Sequence, residues 1–441
     1  MRRYGFIVIL GQLIVATSAQ ASGFGLREFS ASAMGSAYAG AAATGTDASY
    51  LFYNPATLSG VGDFDFSVNA TGLLIDSNAR YSAATSAGTP VSGNATPHSF
   101  IGSAFIPSFA LRYRLSDQWA VGFSLTSPWD ESTTYPSGWV GRYYALSTNL
   151  NTYNGEPIIS YQATPDLALA AGAQIQYARS ELTEAVDFGT LGALNGIPGS
   201  IPGTQDGGAT LHGYGWSAGY VLGAMWHATP ALSLGVSYRS ALRQPLKGRE
   251  QFTYDTAGIA ATINALTGAF TDATGKTGIS LPAVVTGGAR WDVNDGWTAL
   301  AGVEYTEWSS FHQLLIQSEN PANPTDLTVT NWRNTWFGSL GVEYHPGTRW
   351  TFRAGTAVDE GVAPTVTATP RIPDANRYWL SGGVGYRWTD TMDVNFSFSH
   401  LFVPQTSIVQ TPLTAGNALR GSLSGESNSS ANLIGLQLVV R

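Results

Sequence analysis

From Asp63 onward the chain alternates apolar and polar residues in two-residue periods. Met392, Val394, Phe396 and Phe398 are interleaved with Asp393, Asn395, Ser397 and Ser399, and Trp350, Phe352 and Ala354 with Thr351, Arg353 and Gly355. Further on the same theme, Trp332, Trp336, Leu340, Val342 and Tyr344 oppose Arg333, Thr335, Ser339 and Glu343. A period of two puts each set on its own face of a β-strand. It leaves open which face is inside: a soluble sandwich buries the apolar face, whereas a transmembrane barrel turns it to lipid.

The connections decide between them. Fourteen strands are expected between Asp63 and Val440, the second at Ser99 to Leu115, the third at Gln118 to Trp129 and the fourth at Glu156 to Ala163. Each even-numbered strand up to the twelfth is left through a tight turn, such as Ser116-Asp117, Thr164-Pro165-Asp166 or Thr389-Asp390, and each odd-numbered one through a long segment. Strict alternation of short and long connections belongs to an up-and-down barrel with turns on one rim and loops on the other. Trp119, Trp226, Trp291, Tyr344 and Trp388 lie near the short turns, where an interfacial girdle would sit. The expected fold is therefore all-β: a fourteen-stranded antiparallel transmembrane barrel over residues 63–441.

Composition agrees. Only 12% of the residues are charged while 12% are aromatic and 51 are glycine, against about 25% charged in an average soluble protein. A mean hydropathy of −0.01 does not fit helical spans of about 20 apolar residues each. Arg2 and Arg3, the apolar run Tyr4 to Ala16 and the small-x-small Ala19-Gln20-Ala21 predict a secretory signal peptide over residues 1–21. Cysteine is absent, which excludes thiolate metal sites and cysteine nucleophiles. A formal charge of −8 offers no surface for nucleic acid. The six histidines suggest neither a serine–histidine pair nor a metal site by spacing, so neither an enzyme nor a cofactor or metal is expected.

Residues 22–62 differ in kind. They are rich in alanine, glycine and serine, carry Tyr38, Tyr50, Phe52 and Tyr53, lack strand alternation and run into Asn54-Pro55-Ala56. Small residues pack closely, so this segment is expected to fold back into the barrel as a hatch. Its Gly23-Phe24-Gly25-Leu26-Arg27-Glu28-Phe29-Ser30 block, the following Gly35 to Gly40 and the Asn54-Pro55-Ala56 triplet resemble the N-terminal hatch of FadL-type outer-membrane transporters of long-chain fatty acids and aromatic hydrocarbons. Trp139-Val140-Gly141-Arg142-Tyr143-Tyr144, Val303 to Phe311 and Arg371 to Leu380 are similar to that family's other signature stretches.

The resemblance implies a mechanism: capture of a lipid-like substrate by extracellular loops, passage to an internal pocket and lateral exit to the bilayer where the third strand kinks. It implies a gating role for Asn54, Pro55 and Ala56 and a basic ligand-binding position at Arg179, although Arg179 shares strand phase with the lipid-facing Tyr177 and Ile175. Gly122 is the expected kink, because glycine weakens a strand ladder. Arg353 and Arg387 have inward phase and are expected to pair with lumen acids such as Glu304, Glu343 and Asp393. For capture, Leu191, Leu194, Ile197 and Ile201 in one long loop and Ile259, Ile263, Leu266 and Phe270 in another are the candidates, the second set at the spacing of one helix face. The expected partners are a fatty acid or hydrocarbon, outer-membrane lipid and lipopolysaccharide, and the barrel assembly machinery; the expected state is a monomer in the outer membrane of a Gram-negative bacterium. Uptake of long-chain fatty acids is the leading expectation, monoaromatic or alkane hydrocarbons the alternative within the family, and a polar-solute porin or structural barrel the reading outside it.

Overall fold

The computed structural model describes residues 23–59 and 62–441; the expected signal peptide, Ser22 and positions 60 and 61 lie outside them. Fourteen strands close into one antiparallel wall: β1 (Phe64–Ser86), β2 (Ala104–Arg114), β3 (Trp119–Thr126), β4 (Ser147–Thr164), β5 (Leu167–Asp187), β6 (Asp206–Thr229), β7 (Leu232–Arg239), β8 (Val284–Asn294), β9 (Trp297–Thr306), β10 (Thr335–Tyr344), β11 (Trp350–Asp359), β12 (Arg377–Thr389), β13 (Met392–Gln410) and β14 (Ser422–Val440). Each pairs with its sequence neighbour, and β14 returns to β1 in a ladder from Phe66↔Val440 to Thr85↔Ser422. Several strands run well past the alternating segments that announce them, because above the bilayer both faces meet water and the apolar period fades.

The outward set stays exposed on the isolated chain: Leu74, Phe105, Leu340, Leu380, Phe396 and Leu436 form part of a broad apolar belt. A belt of that extent belongs in hydrocarbon. Trp226, Trp291, Trp297, Trp350 and Trp388 are exposed at the short-turn rim, and Tyr214, Trp216, Trp336 and Tyr378 about eight to twelve residues further along their strands. Ten residues rise about 33 Å along a strand, which at a ~40° tilt is about 25 Å of height, the depth of an apolar band. Trp332 departs from this pattern. It precedes β10, follows Asn331 in the left-handed region (φ 44°), and is buried against Phe24 rather than facing lipid.

Residues 23–59 fold into a short helix α1 (Ala31–Gly35), capped by Ser30 Oγ, and three 3-10 turns, packed against strands on every side of the barrel. The wall is notched to receive them. A Cβ on Gly235 would lie 1.8 Å from the Ala42 carbonyl oxygen, and one on Gly355 2.2 Å from that of Ser36. Buried polar groups fix the segment: Ala31 N–H donates to Asn69 Oδ1 on β1 (2.8 Å) and Ser32 N–H to Gln437 Oε1 on β14 (2.9 Å), one on each side of the closing seam. The buried Arg112–Asp65 pair (3.2 Å) adds bonds from Arg112 to the Gly45 and Thr57 carbonyls and from Ala48 N–H to Asp65.

Two long connections build structure outside the wall. One holds helix α2 (Phe188–Leu194). The other is a hairpin, Leu242–Thr253 and Ala273–Leu281, carrying helix α3 (Ile259–Thr267) and continuing the sheet beyond β6.

Candidate functional site

The third strand is broken, though not where its glycine suggested. Gly122 sits in unbroken register between Arg112 and Ile158. Its missing side chain makes room for Leu58 and Leu51 of the N-terminal segment, whose methyl carbons would lie 2.7 and 3.1 Å from a Cβ there. The interruption is at residues 127–129: β3 ends at Thr126, and the strand resumes as Asp130–Thr134 against β4. Pro128 has no N–H to give a ladder. The freed backbone bonds to the N-terminal segment, Leu26 N–H to the Pro128 carbonyl (2.8 Å) and Asp130 N–H to that of Phe24 (2.9 Å). On the facing side, the stretch Ala104 to Ser108 of β2 pairs with β1 but not with β3, and it contains Pro107. The wall therefore has a built gap beside Phe24 to Leu26.

The three most spacious of the cavities described within the barrel and its loops follow one another inward. The outermost, about 910 Å³, is lined by Leu191, Phe270, Glu184, Asp326, Arg371 and Arg420 among others. Arg371 donates to Glu184 (2.5 Å), while Arg420 pairs with both Glu184 (3.2 Å) and Asp326. Burial pushes the Glu184 carboxyl up, opposed by the two guanidinium groups. Leu182 and Leu211 line this cavity and also the next, of about 550 Å³, whose walls include Leu150, Leu246, Ile279 and Phe311 and carry no cation. Phe24 closes its inner end. That ring is packed edge-on against Trp308 (4.9 Å) and Trp129 (6.2 Å), with Trp332 at 5.4 Å.

Beyond Phe24 is a third cavity of about 640 Å³, bounded by Leu26, Pro128 and Trp129 at the wall gap and by Arg27 and Arg239. Both cations are held: Arg27 by Glu304 (3.0 Å) and Asp359 (3.3 Å), Arg239 by Glu156 and Gln174. Arg239 has the inward phase of Ser237 and Gly235, a legible signal, and Arg27 and Arg371 lie in the blocks that carry the family resemblance. Arg420 sits in a loop without periodicity.

The expected residues fall in several places. Asn54 donates to the carbonyls of Ala42 (2.6 Å) and Ala224 on β6 (3.0 Å) and accepts from Ala56 N–H (2.9 Å). The Asn54-Pro55-Ala56 triplet thus docks on the β4–β6 wall, with Asn54 and Pro55 over Gly223, and also reaches the third strand, where Ala56 shares a cluster with Ala120. Ile259, Ile263 and Phe270 pack with Phe188 into one cluster, joined by Leu191 and Ile197, whereas Leu194, Ile201 and Leu266 are exposed. Arg353 pairs with Glu343 (2.9 Å) and Arg387 with Asp393 (3.6 Å). Arg179 lies outside the pocket. It is exposed on the outer face, touching Asn151 (3.3 Å), while its neighbours Ala178 and Ser180 point inward. Strand parity prevails at Arg179 because β5 runs past it without a bulge.

The chain matches known proteins along nearly its whole length. It is 28% identical over 98% of its residues to a putative outer membrane protein of Neisseria meningitidis, covering 97% of that protein. It is 27% identical over 88% to the long-chain fatty acid transport protein of Escherichia coli, covering 90% of it. Among solved structures, a Pseudomonas aeruginosa FadL homologue superposes with a TM-score of 0.87 at 24% identity over 95% of this chain and 99% of that one. The Ralstonia pickettii toluene transporter TbuX does so at 0.64 and 20%, over 95% and 99%. The family model described as outer membrane protein transport protein (OMPP1/FadL/TodX) matches residues 12–441. A closed fourteen-stranded wall with an apolar belt and a chain of internal cavities is thus the architecture of an outer-membrane transporter of hydrophobic substrates, and this chain is a member of the OMPP1/FadL/TodX family.

Proposed function

We propose that the protein takes up long-chain fatty acids. The observation that carries this reading is the junction of an outer cavity holding Arg371 and Arg420 with an inner one whose lining is almost wholly apolar, shared at Leu182 and Leu211. An amphiphile needs that division: cations for a carboxylate and hydrocarbon contacts worth about 0.8 kcal/mol for each buried CH₂. The incoming carboxylate takes the place of Glu184 between the two guanidinium groups. Fatty acid transport by the Escherichia coli relative supports the same substrate class.

Capture begins on the exposed Leu194, Ile201 and Leu266 and on Leu191 and Phe270 at the outer cavity. Residues 22–62 act as the hatch, held shut by the Asn54-Pro55-Ala56 clamp. Withdrawal of Phe24 joins the inner cavity to the third one, from which the substrate leaves sideways at residues 127–129. A second reading has one observation in its favour: the inner cavity offers no cation, so a monoaromatic or alkane hydrocarbon would need nothing more there.

The test is uptake of a labelled long-chain fatty acid and of labelled toluene in cells lacking their own transporter. The variant is Arg371→Gln with Glu184→Gln, which leaves no buried charge orphaned at that pair. A charged hydrogen bond worth about 1.5–3 kcal/mol predicts a loss of fatty acid affinity of about 10- to 150-fold, with toluene uptake unchanged. Equal effects on both substrates would remove the head-group role, and toluene uptake alone by the unaltered protein would move the substrate to hydrocarbons.

A further inference from the structure

The cations within the barrel and its loops hold carboxylate partners: Arg27, Arg112, Arg239, Arg290, Arg353, Arg377 and Arg420 each form a salt bridge. The outer face of the wall beside β5 and β6 is different. The chain has only two lysines, and the ladder sets them directly opposite each other, Lys247↔Lys276, on the two strands of the added hairpin. Like charges placed opposite each other on one face are destabilising. The row continues through Lys247↔Tyr214 and Tyr214↔Arg179, and the next outward row carries Arg249, His212 and Glu181.

Direction is fixed by the neighbours. Leu246, Gly213, Gly275, Thr277 and Ser180 line the inner cavity, so Lys247, Tyr214, Lys276 and Arg179 face out, where they are exposed. Among the described residues, two acids form salt bridges on this patch. Glu319 meets Lys247 at 2.8 Å and Glu181 meets His212 at 3.3 Å. Among the described residues Arg179, Arg249 and Lys276 form no salt bridge.

Trp216 and Tyr214 belong to the outer aromatic girdle, about 25 and about 30 Å above Trp226 at the short-turn rim by the strand rise and tilt. The cationic row is level with Tyr214 and one residue pair above Trp216, which is the head-group layer of the outer leaflet. Four adjacent strands at about 4.8 Å spacing spread the charges over about 15 Å. On a chain with a formal charge of −8, four cations at that level with a salt bridge at only one of them, Lys247, have their complement in the membrane.

We propose that Arg179, Lys247, Arg249 and Lys276 form a binding site for the phosphates of lipopolysaccharide, with Tyr214 and Trp216 against its acyl chains. The site fixes the rotation and depth of the barrel on the side that carries α2 and α3. It is independent of which substrate the protein transports.

The experiment measures lipopolysaccharide bound to the purified full-length protein in detergent, by titration on native gels. Wild type is compared with the triple variant Lys247→Gln, Lys276→Gln and Arg249→Gln, and with Lys247→Arg plus Lys276→Arg. Heat-dependent gel migration reports that each barrel is folded. The expected result is binding at least tenfold weaker in the triple variant, retained in the arginine pair, and weakened on wild type when lipid A stripped of its phosphates is the probe. Equal binding by the triple variant, or equal binding of phosphorylated and stripped lipid A to wild type, would overturn the proposal. The stripped-lipid arm needs no variant and decides the matter even if the triple variant fails to fold.

Discussion

Gly235→Ala tests whether the N-terminal segment is seated by notches in the wall. A Cβ at this position would stand 1.8 Å from the Ala42 carbonyl oxygen, where a carbon–oxygen contact needs about 3.3 Å; some part must move by about 1.5 Å. The wall is the stiffer side, because Gly235 is laddered to Met225 on β6 and to Gly288 on β8. The moving part is the turn Ala41–Ala43, and the same Ala42 carbonyl accepts the 2.6 Å bond from Asn54. One added methyl group therefore strains the Asn54 clamp as well. Overpacking of this kind costs about 1–3 kcal/mol, which raises the population of an unseated N-terminal segment by about 5- to 150-fold. Planar-bilayer recording reads this directly: open events become correspondingly more frequent, while heat-dependent gel migration stays that of a closed barrel. A conductance record identical to wild type, from a variant that folds, would refute seating by the notch.

Phe24→Ala removes the ring between the inner and third cavities, and is expected to raise uptake of small neutral hydrocarbons severalfold while lowering thermal stability by about 3–5 kcal/mol; uptake assays and thermal melts check the two halves separately. Asp65→Ala leaves the Arg112 guanidinium, buried between β1, β2 and the N-terminal segment, without its carboxylate. A loss of about 3–5 kcal/mol is expected in urea unfolding, and an unchanged midpoint would contradict it. Leu182→Trp narrows the waist shared by the outer and inner cavities and should slow uptake of fatty acid and toluene alike, with loop capture measured by surface binding left intact.

The strand count was readable because its signals are local: a period of two, broken by tight turns, needs no knowledge of what packs where. The break in the third strand was harder. Gly122 and Pro128 are both ladder-weakening residues, and only the approach of Leu51 and Leu58 from the N-terminal segment reveals that the glycine is a notch and the proline the interruption. At Arg179 strand parity already pointed outward, and the structure sides with parity over resemblance. Trp332 followed the alternation of β10 on paper but precedes the strand, where the backbone turns it onto Phe24. Arg420 carried no signal at all, since its partners Glu184 and Asp326 come from distant segments that only the folded loops bring together.

The two hydrogen bonds that straddle the seam, Ala31 to Asn69 and Ser32 to Gln437, have a consequence for biogenesis. The earliest described helix is held by the first strand and by the last, with Ser32 and Gln437 405 positions apart, so its docking is not complete until β14 has arrived. Contacts of such long range are the slowest to form. Until then helix α1 has only one of these two bonds, and the barrel has an unpaired edge at each end of its open sheet. Closure of the cylinder and locking of α1 are therefore coupled: an assembly stalled before the last strand is open at the side, with its contents held from one side of the seam alone.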